Sequence, residues 1–443
     1  MLRSNPVLPY DAGDWTGNHI WLHKQPVFLW QMALSIRIFG ANEFAVRFPS
    51  ALMGALMIPT IYRVGKLSLN SNAGYFGSLF FCFSFFQLER TTGLIGMDHN
   101  DIAFTFYCFL SIWAYTEYLH SGKRIFIYLC GVFSGLSILN KWLVGLIVYG
   151  IWSTNILLSW KDTFKRKKEI INLCVSLGIC LVTFLPWQLY ISTRFPLESA
   201  LEYSFNRRHI TETLEGHIEN NWYYLRIFGV QYYWWSGFFL IIGIVSLFRN
   251  KISNFHKSIY LFTIGITYLF FSIIVSTKSI GYVFYVAPLI LLLVAYGFDI
   301  CLQKCRSFIS NVFLQKSVVY MAIVILCFIE LSYPRMIFIH GKQHSLFGAE
   351  DPKAKSHNTA IYKELDSLAA GSDLVINCRS MEDIEAMFYS HKNVYHWWPT
   401  EYQIDSLQEE GYRIAAFPDM DGQVLPDYIK SNTKIRILPA QLK

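Results

Sequence analysis

Long apolar stretches recur along the first 333 residues, and short polar connections separate them. A helix of about 20 mainly apolar residues crosses the hydrocarbon core of a bilayer, so each stretch predicts one crossing. The pattern therefore predicts a mainly α, polytopic membrane domain over residues 1–333. The ten predicted spans are residues 43–65, 73–89, 101–119, 125–140, 142–159, 169–192, 226–248, 258–276, 281–302 and 315–333.

Two of these spans are short, and only Asn140 and Lys141 separate them, so one bent helix is the alternative at this point. Charge favours two spans, because basic clusters then fall in every second connection and all face the cytoplasm by the positive-inside rule. The N-terminal segment and everything after the last span are then predicted to face outward. The clusters are Arg63 and Lys66; Lys123 and Arg124; residues 161–168; Arg249, Lys251 and Lys257; and Lys304, Arg306 and Lys316.

The composition changes after the last predicted span and becomes rich in Asp, Glu, Lys and Ser. Apolar segments there are too short to cross a bilayer, and helical and strand patterns alternate, which predicts a small α/β domain with a mainly parallel sheet. We assign residues 334–443 to this soluble, extracytoplasmic domain and expect no nucleotide site, because no glycine-rich loop opens its helices. The predicted helices are 357–370, 382–391 and 400–410, and the predicted strands are 373–378, 392–398 and 412–417.

The bulk composition agrees with a membrane protein. Of the 443 residues, 53% are hydrophobic and only 16% are charged, a balance that excludes an ordinary water-soluble protein. The net charge of +7 comes from basic residues between apolar segments, so we predict contact with membrane lipid and no nucleic-acid partner. The nine cysteines lie mostly in apolar stretches and form neither a disulfide framework nor a zinc pattern.

Polar residues without an obvious structural role collect in the outward connections. Asp98 and Asp101 stand in GMDHNDIAFTFY at the start of a predicted span. A spacing of three residues places both carboxylates on one helix face, at the positive N-terminal end. Such a pair can bind a cation or act on a hydroxyl group, and simple capping of the helix is the structural alternative.

A second group of outward residues is basic. The stretch SFNRRHITETLEGH contains Arg207, Arg208 and His209, and Lys24, Lys141 and Lys278 are predicted to lie at the same face of the membrane. Arginine forks and lysine charges suit phosphate oxygens, so these residues are candidates for a lipid-linked phosphate. Contact with anionic phospholipid headgroups, or snorkelling of single side chains, is the alternative.

Three outward histidines, His23, His209 and His217, raise the question of a metal. Their spacing matches no fixed ligand geometry and no cysteine joins them, so we predict no metal site and no cofactor. A divalent cation bound with the substrate stays open as an alternative.

Several motifs together resemble the family of dolichyl-phosphate-mannose protein mannosyltransferases and lipid A aminoarabinose transferases. The longest is WLHKQPVFLWQMALSIRIFGANEFAVRFPSALMG, and the resemblance continues in order through most of the membrane region. It implies a GT-C fold, in which an outward cavity binds a polyprenyl-phosphate sugar. The further motifs are residues 90–104, NKW at 140–142, LPW at 185–187, the LEGH loop, WYYL at 222–225 and TKSIGYVFYVAPL.

The resemblance also suggests roles for single residues. Lys24 resembles the family lysine that holds the donor phosphate, and Asp101 resembles the acidic residue at the start of its helix. Lys278 and Tyr282 resemble a lysine and a tyrosine of a later outward loop, while the basic stretch at 207–209 corresponds less closely. Two departures are His23, where many members have Glu, and Gln25, which replaces the first proline of the motif KPP.

A larger departure lies at the start of the chain. The family places a first membrane helix and an acidic motif, usually taken to supply the catalytic base, upstream of the residues that match Met1 and Leu2. We expect that the start site is misassigned or that the chain is truncated; Asp11 or Asp14 as a replacement base is the alternative.

The resemblance implies an enzyme that transfers a hexose or pentose from a polyprenyl-phosphate donor at the outer face of the bacterial inner membrane. The acceptor would be lipid A, another glycan or a protein. A transporter or flippase for lipid-linked sugars and an inactive, truncated binding subunit are the alternatives. We assign catalysis to Asp101 and Asp98, and substrate binding to Lys24, His23, Lys141, Arg207, Arg208, His209, His217, Lys278 and Tyr282.

Overall fold

The structure is a computed structural model that describes residues 22–92, 99–159, 161–214, 219–232, 234–250, 252–331, 352–380 and 382–443. The chain divides into two compact units. The first, here the membrane unit, contains the described residues from 24 to 331. The second, here the C-terminal unit, contains the described residues from 352 to 443 together with residues 22 and 23.

The membrane unit is built from helices that lie close to the predicted spans. Three short segments of 3-10 or π-helix, Trp142–Leu146, Phe270–Ile274 and Ile280–Val286, adjoin α7, α13 and α14. The α-helices are α1 Pro26–Phe39, α2 Glu43–Ser68, α3 Ser71–Phe83, α4 Phe85–Thr92, α5 His99–Ser121, α6 Ile125–Lys141, α7 Ile147–Leu158, α8 Thr163–Arg194, α9 Pro196–Thr211, α10 Tyr223–Arg226, α11 Phe228–Tyr232, α12 Trp234–Arg249, α13 Asn254–Leu269, α14 Ala287–Ser307 and α15 Val312–Leu331.

The predicted helical membrane architecture is confirmed, although several helices differ from the predicted spans and the number of ten spans stays a prediction. Among the described residues, four helical segments are long and apolar enough to cross a membrane: Glu43–Ser68, Thr163–Arg194, Asn254–Ile274 and Ile280–Ser307. The sequence analysis did not predict α1, because its 14 residues are too few for the length of a full crossing. The second predicted span is also divided at Ser84, which separates α3 from α4.

The reversal near Lys141 shows two separate helices and not one bent helix. The Ser134 hydroxyl on α6 donates a hydrogen bond to the carbonyl oxygen of Gly145, 2.8 Å away. Eleven residues along a continuous helix would place these groups about 16 Å apart. The chain therefore turns back on itself directly after Lys141.

Close packing between α2 and α3 depends on small residues. A methyl group added to Gly74 would lie 2.5 Å from the carbonyl oxygen of Tyr62, so the two backbones are in direct contact there. Both helices also begin with an asparagine cap: Asn42 accepts a hydrogen bond from the Ala45 amide, and Asn70 accepts one from the Ala73 amide. Small residues at such a contact are typical of membrane helix pairs.

The C-terminal unit has the predicted α/β alternation. Its four strands form one sheet in the order β2-β1-β3-β4 with all neighbours parallel, which confirms the predicted sheet and adds β4. The predicted boundary at residue 333 lies outside the described residues and stays a prediction. The elements are α16 Pro352–Lys363, α17 Leu365–Leu368, β1 Leu374–Ile376, α18 Asp383–Tyr389, β2 Asn393–Val394, α19 Glu401–Glu409, β3 Ile414–Ala416, α20 Asp427–Lys430 and β4 Arg436–Ile437.

Candidate active site

A buried carboxylate at the start of α5 is the centre of the candidate site. Asp101 lies in the first turn of this helix, and the residue is only 5% exposed. The Lys141 ammonium at the end of α6 donates a hydrogen bond of 2.5 Å to Oδ1 of Asp101. Nη1 of Arg90, on α4, lies 3.8 Å from Oδ2. One carboxylate therefore joins cations from two other helices.

The surroundings of Arg90 are aromatic and acidic. Its guanidinium carbon lies 4.6 Å from the ring centroid of Phe86 and 5.8 Å from that of Phe284, distances that allow cation–π attraction. The neighbouring carboxylate of Glu89 is buried too. Arg90 is itself 1% exposed, so its charge is balanced by buried acids and not by solvent.

The site continues from Lys141 towards α9. The Lys141 Nζ atom lies 3.5 Å from the carbonyl oxygen of Gly281 and 5.4 Å from the centroid of the Tyr282 ring. The Tyr282 hydroxyl in turn lies 3.4 Å from Nδ1 of His209, at the end of α9. Four of the residues predicted from sequence, Asp101, Lys141, His209 and Tyr282, are thus brought into one contiguous cluster.

Backbone pairing holds the end of α9 against the loop before α14. The Thr277 amide donates to the carbonyl of His209 (3.1 Å), and the Ser276 amide donates to that of Ile210 (3.0 Å). The Thr277 hydroxyl donates to the carbonyl of Glu212 (2.8 Å) and accepts from the amide of Leu214 (3.1 Å). These contacts position His209 beside Tyr282.

Lys278 has a different placement from the one expected for a phosphate ligand. It is 2% exposed, and its ammonium donates to the carbonyl oxygens of Phe271 (2.8 Å), Ser272 (2.9 Å) and Val275. An ammonium has three donors, so all of them are used by the backbone in this conformation. Burial lowers the pKa of this lysine. The geometry makes Lys278 a clamp on the end of the preceding helical segment.

The segment that carries Lys24 is joined to α8 and α9. Gln25, 3% exposed, accepts a hydrogen bond of 2.8 Å from the Gln188 amide on α8. The hydroxyl of Tyr203 on α9 donates to Oε1 of the same Gln188, 2.9 Å away. Tyr203 is one helical turn before Arg207. The segment next to Lys24 is therefore linked through Gln188 to α9, the helix that carries the basic stretch.

Two described residues predicted for the site, Arg207 and Arg208, lie on the exposed surface of α9. Arg208 forms a bridge of 2.8 Å with Glu212 on the same surface. His23 belongs to the C-terminal unit in the division of the chain. Asp98 and His217 lie outside the described residues.

Sequence reasoning missed Arg90 and its neighbours Gln87 and Asn100. The second predicted span ended at residue 89, so Arg90 was counted as part of a connection and its burial was not anticipated. An arginine directly after an apolar span, next to Glu89 and close in sequence to the acidic pair, was the available signal. Within the described ranges, no group of three or more His, Cys, Asp or Glu side chains is arranged to hold a metal ion.

Comparison with known proteins agrees with the motifs of the sequence and with the helical fold. Residues 23–190 match the family model of the dolichyl-phosphate-mannose-protein mannosyltransferases. The structure of ArnT from Cupriavidus metallidurans bound to undecaprenyl phosphate superposes with a TM-score of 0.65 at 15% identity, covering 95% of this chain and 83% of that one. The chain has the GT-C glycosyltransferase fold. The family resemblance predicted from the motifs is thereby confirmed.

Two curated relatives of this chain are named as arabinosyl transferases. The undecaprenyl phosphate-alpha-4-amino-4-deoxy-L-arabinose arabinosyl transferase of Yersinia enterocolitica (serotype O:8, biotype 1B) is 26% identical over 304 residues, 66% of this chain and 53% of that protein. Arabinosyl transferase 2 of Pseudomonas fluorescens (strain Pf0-1) is 24% identical over 198 residues, 42% of this chain and 34% of that protein. The chain thus spans about half, or less, of the length of these relatives.

Proposed function

We propose that this protein transfers a sugar from a polyprenyl-phosphate carrier to an acceptor at the outer face of the bacterial inner membrane. The observation that carries the proposal is the buried Asp101 carboxylate held between Lys141 and Arg90, in a GT-C fold. The names of the relatives support the carrier, and their arabinosyl specificity makes an amino pentose the first sugar to test.

The cluster suits the chemistry of this transfer. Negative charge develops on the leaving phosphate, and preorganised cations in a water-poor site stabilise it. Lys141 is such a cation, and Tyr282 and His209 connect it to α9, whose basic stretch is a candidate contact for the carrier. Asp101 orients Lys141 and offers a carboxylate that polarises the acceptor hydroxyl. Arg90 balances the charge of that carboxylate from the opposite side.

The direct test uses the full chain in lipid nanodiscs. We would supply undecaprenyl phosphate carrying 4-amino-4-deoxy-L-arabinose, the same carrier carrying mannose, and lipid A as acceptor. Release of undecaprenyl phosphate together with glycosylated lipid A supports the proposal, and the better donor identifies the sugar class. Movement of intact donor between the leaflets of vesicles, with no transfer, would instead favour a flippase. Neither transfer nor movement, with the donor still bound, would favour a binding subunit.

Orientation has its own test. If the basic connections face the cytoplasm, a reporter enzyme that is active only in the periplasm should be active when fused after Lys443. The same reporter fused into the connection at residues 161–168 should be inactive. The reverse pattern would place the Asp101 cluster on the cytoplasmic side and end the model of an outward-facing site.

A further inference from the structure

Polar atoms without partners are concentrated around Asp101. Gln87 is 1% exposed, and neither its amide nitrogen nor its amide oxygen has a hydrogen-bond partner among the described residues. The same holds for Nε and Nη1 of Arg90 and for Oδ1 of Asn100, which is 4% exposed. These five atoms come from two adjoining elements, the α4 helix and the first turn of α5.

The three residues lie on α4 and in the first turn of α5, the two elements that the Arg90–Asp101 ion pair joins. Gln87 and Arg90 are three residues apart on α4, so they share a face of that helix. Arg90 reaches Asp101 at 3.8 Å, and Asn100 is the neighbour of Asp101 in the first turn of α5. The rings of Phe86 and Phe284, 4.6 and 5.8 Å from the guanidinium carbon of Arg90, add two aromatic side chains at this place.

Leaving such atoms unpaired is costly. A buried donor or acceptor without a partner costs about 1–3 kcal/mol, and folded proteins leave only a few of them per hundred residues. Five such atoms on two adjoining elements indicate that something polar pairs with them in the working protein.

We infer that Gln87, Arg90 and Asn100 form a subsite for the sugar group of the donor, beside the Asp101–Lys141 pair. This inference rests on the proposed function and deepens it. The set offers both donors and acceptors, which matches sugar hydroxyls, since each hydroxyl both donates and accepts. The aromatic side chains around Arg90 suit the apolar face of a sugar ring. A phosphate would instead meet the acceptor oxygens of Gln87 and Asn100 and the carboxylate of Asp101.

The test compares two ligands that differ only in the sugar. We would measure binding of undecaprenyl phosphate and of undecaprenyl phosphate carrying 4-amino-4-deoxy-L-arabinose to the full chain in nanodiscs. Gln87→Met keeps the length of the side chain and removes both polar atoms. We expect it to weaken binding of the sugar-carrying ligand about tenfold, as loss of a hydrogen-bonding group does. Binding of the bare carrier should stay within twofold of the wild type.

Thr263→Val is the matched control. Thr263 on α13 is also fully buried with an unpartnered hydroxyl among the described residues, but it is not part of this set. It should leave both affinities unchanged. Thermal unfolding of each variant shows whether Gln87→Met is folded.

Three outcomes of a folded Gln87→Met variant separate the explanations. Selective loss of the sugar-carrying ligand supports the subsite. Equal loss of both ligands would overturn it, because the side chain would then act on the carrier or its phosphate. No loss of either would also overturn it and would leave buried water as the partner. If wild-type protein binds neither ligand, the proposed function itself fails.

Discussion

Two buried aspartates in the membrane unit have opposite surroundings. Asp299 on α14 is 1% exposed and accepts hydrogen bonds from three neutral amides. The Nδ2 atoms of Asn70 and Asn72 lie 3.1 and 3.0 Å away, and Nε2 of Gln303 lies 2.8 Å away. Asp101 is 5% exposed, is paired with cations and has unpartnered polar neighbours.

The difference separates a structural role from a chemical one. The carboxylate of Asp299 has its hydrogen bonds from the three amides, which join the start of α3 to α14. It needs no further partner. The surroundings of Asp101 are incomplete, which is costly unless a ligand completes them. Burial of a carboxylate alone therefore does not identify a site. A site is identified by whether the polar groups around the carboxylate have hydrogen-bond partners.

The largest expected effect is on turnover in Asp101→Asn. The change keeps the size of the side chain and removes the charge that orients Lys141 and polarises the acceptor. We expect transfer to fall about 100- to 10,000-fold, the range for loss of acid–base assistance. Asp98→Asn should lower transfer less, because Asp101 is the member of the pair that resembles the acidic residue of the family. The measurement is the rate of donor consumption by folded protein in nanodiscs.

Asp299→Asn is the control that can break the comparison. It makes the same chemical change in a carboxylate of equal burial, so it should lower the melting temperature and leave the turnover of the remaining folded protein unchanged. Equal and small losses of activity in Asp101→Asn and Asp98→Asn would show that this acidic pair is structural. Loss of turnover in folded Asp299→Asn would show that burial, and not the incomplete surroundings, marks the sensitive residues.

A second prediction concerns the charges proposed to hold the carrier. Charge-assisted contacts are worth about 1.5–3 kcal/mol each, so Lys24→Ala or Arg207→Ala should weaken binding of undecaprenyl phosphate by about 10- to 150-fold. Arg208→Ala should have a smaller effect, because Arg208 is already paired with Glu212. Binding is measured by titration in nanodiscs at two salt concentrations, and salt should weaken it further.

Lys278 provides a comparison for this prediction, because its ammonium donates its hydrogen bonds to backbone carbonyls. Lys278→Met should lower thermal stability. The affinity of the folded fraction for the carrier should be unchanged. Lys430→Ala removes a cation that pairs with Asp419 at 2.7 Å in the C-terminal unit, and it should change neither property of the membrane unit. Unchanged carrier binding in Lys24→Ala, Arg207→Ala and Arg208→Ala would leave snorkelling as the better account of these residues.

The sequence predicted the architecture better than the site, for a physical reason. Apolar length and strand alternation are properties of the chain itself, so the helical membrane fold and the C-terminal α/β alternation followed from them, while the number of ten spans stays a prediction. The cluster depends on where helices end in space. The charge alternation predicted that the chain reverses after Lys141. This reversal brings the Lys141 ammonium to Asp101. The burial of Arg90 arises only from tertiary packing, and the carbonyls that Lys278 binds depend on the residue at which the preceding helical segment ends, which the apolar pattern does not locate.

The smallest expected effect concerns an exposed carboxylate, Asp373, which completes the series after Asp101 and Asp299. Hydrogen bonds from the side chain and then the backbone amide of Arg413 lower the pKa of Asp373. A lowered pKa in the folded state stabilises the protein above the unfolded value of about 3.9, and this contribution is lost as the pH falls through the folded value. Because the Asp373 side chain is 42% exposed, solvent screening limits the contribution to less than about 1 kcal/mol.

Hydrogen exchange of the full chain tests this locally. The amide of Arg413 donates to Oδ2 of Asp373 at 3.0 Å, and the amide of Asp373 donates to the carbonyl of Arg413 at 2.7 Å, so both report on this pair. We expect Asp373→Asn to speed exchange of these two amides a few-fold at pH 6, and the effect should shrink as the pH falls through the lowered pKa of Asp373. Asp405→Asn, on the exposed face of α19, should leave them unchanged. A fall in melting temperature in Asp373→Asn as large as that in Asp299→Asn would mean that exposure does not rank these carboxylates. The contrast between complete and incomplete surroundings would then have to be judged by turnover alone.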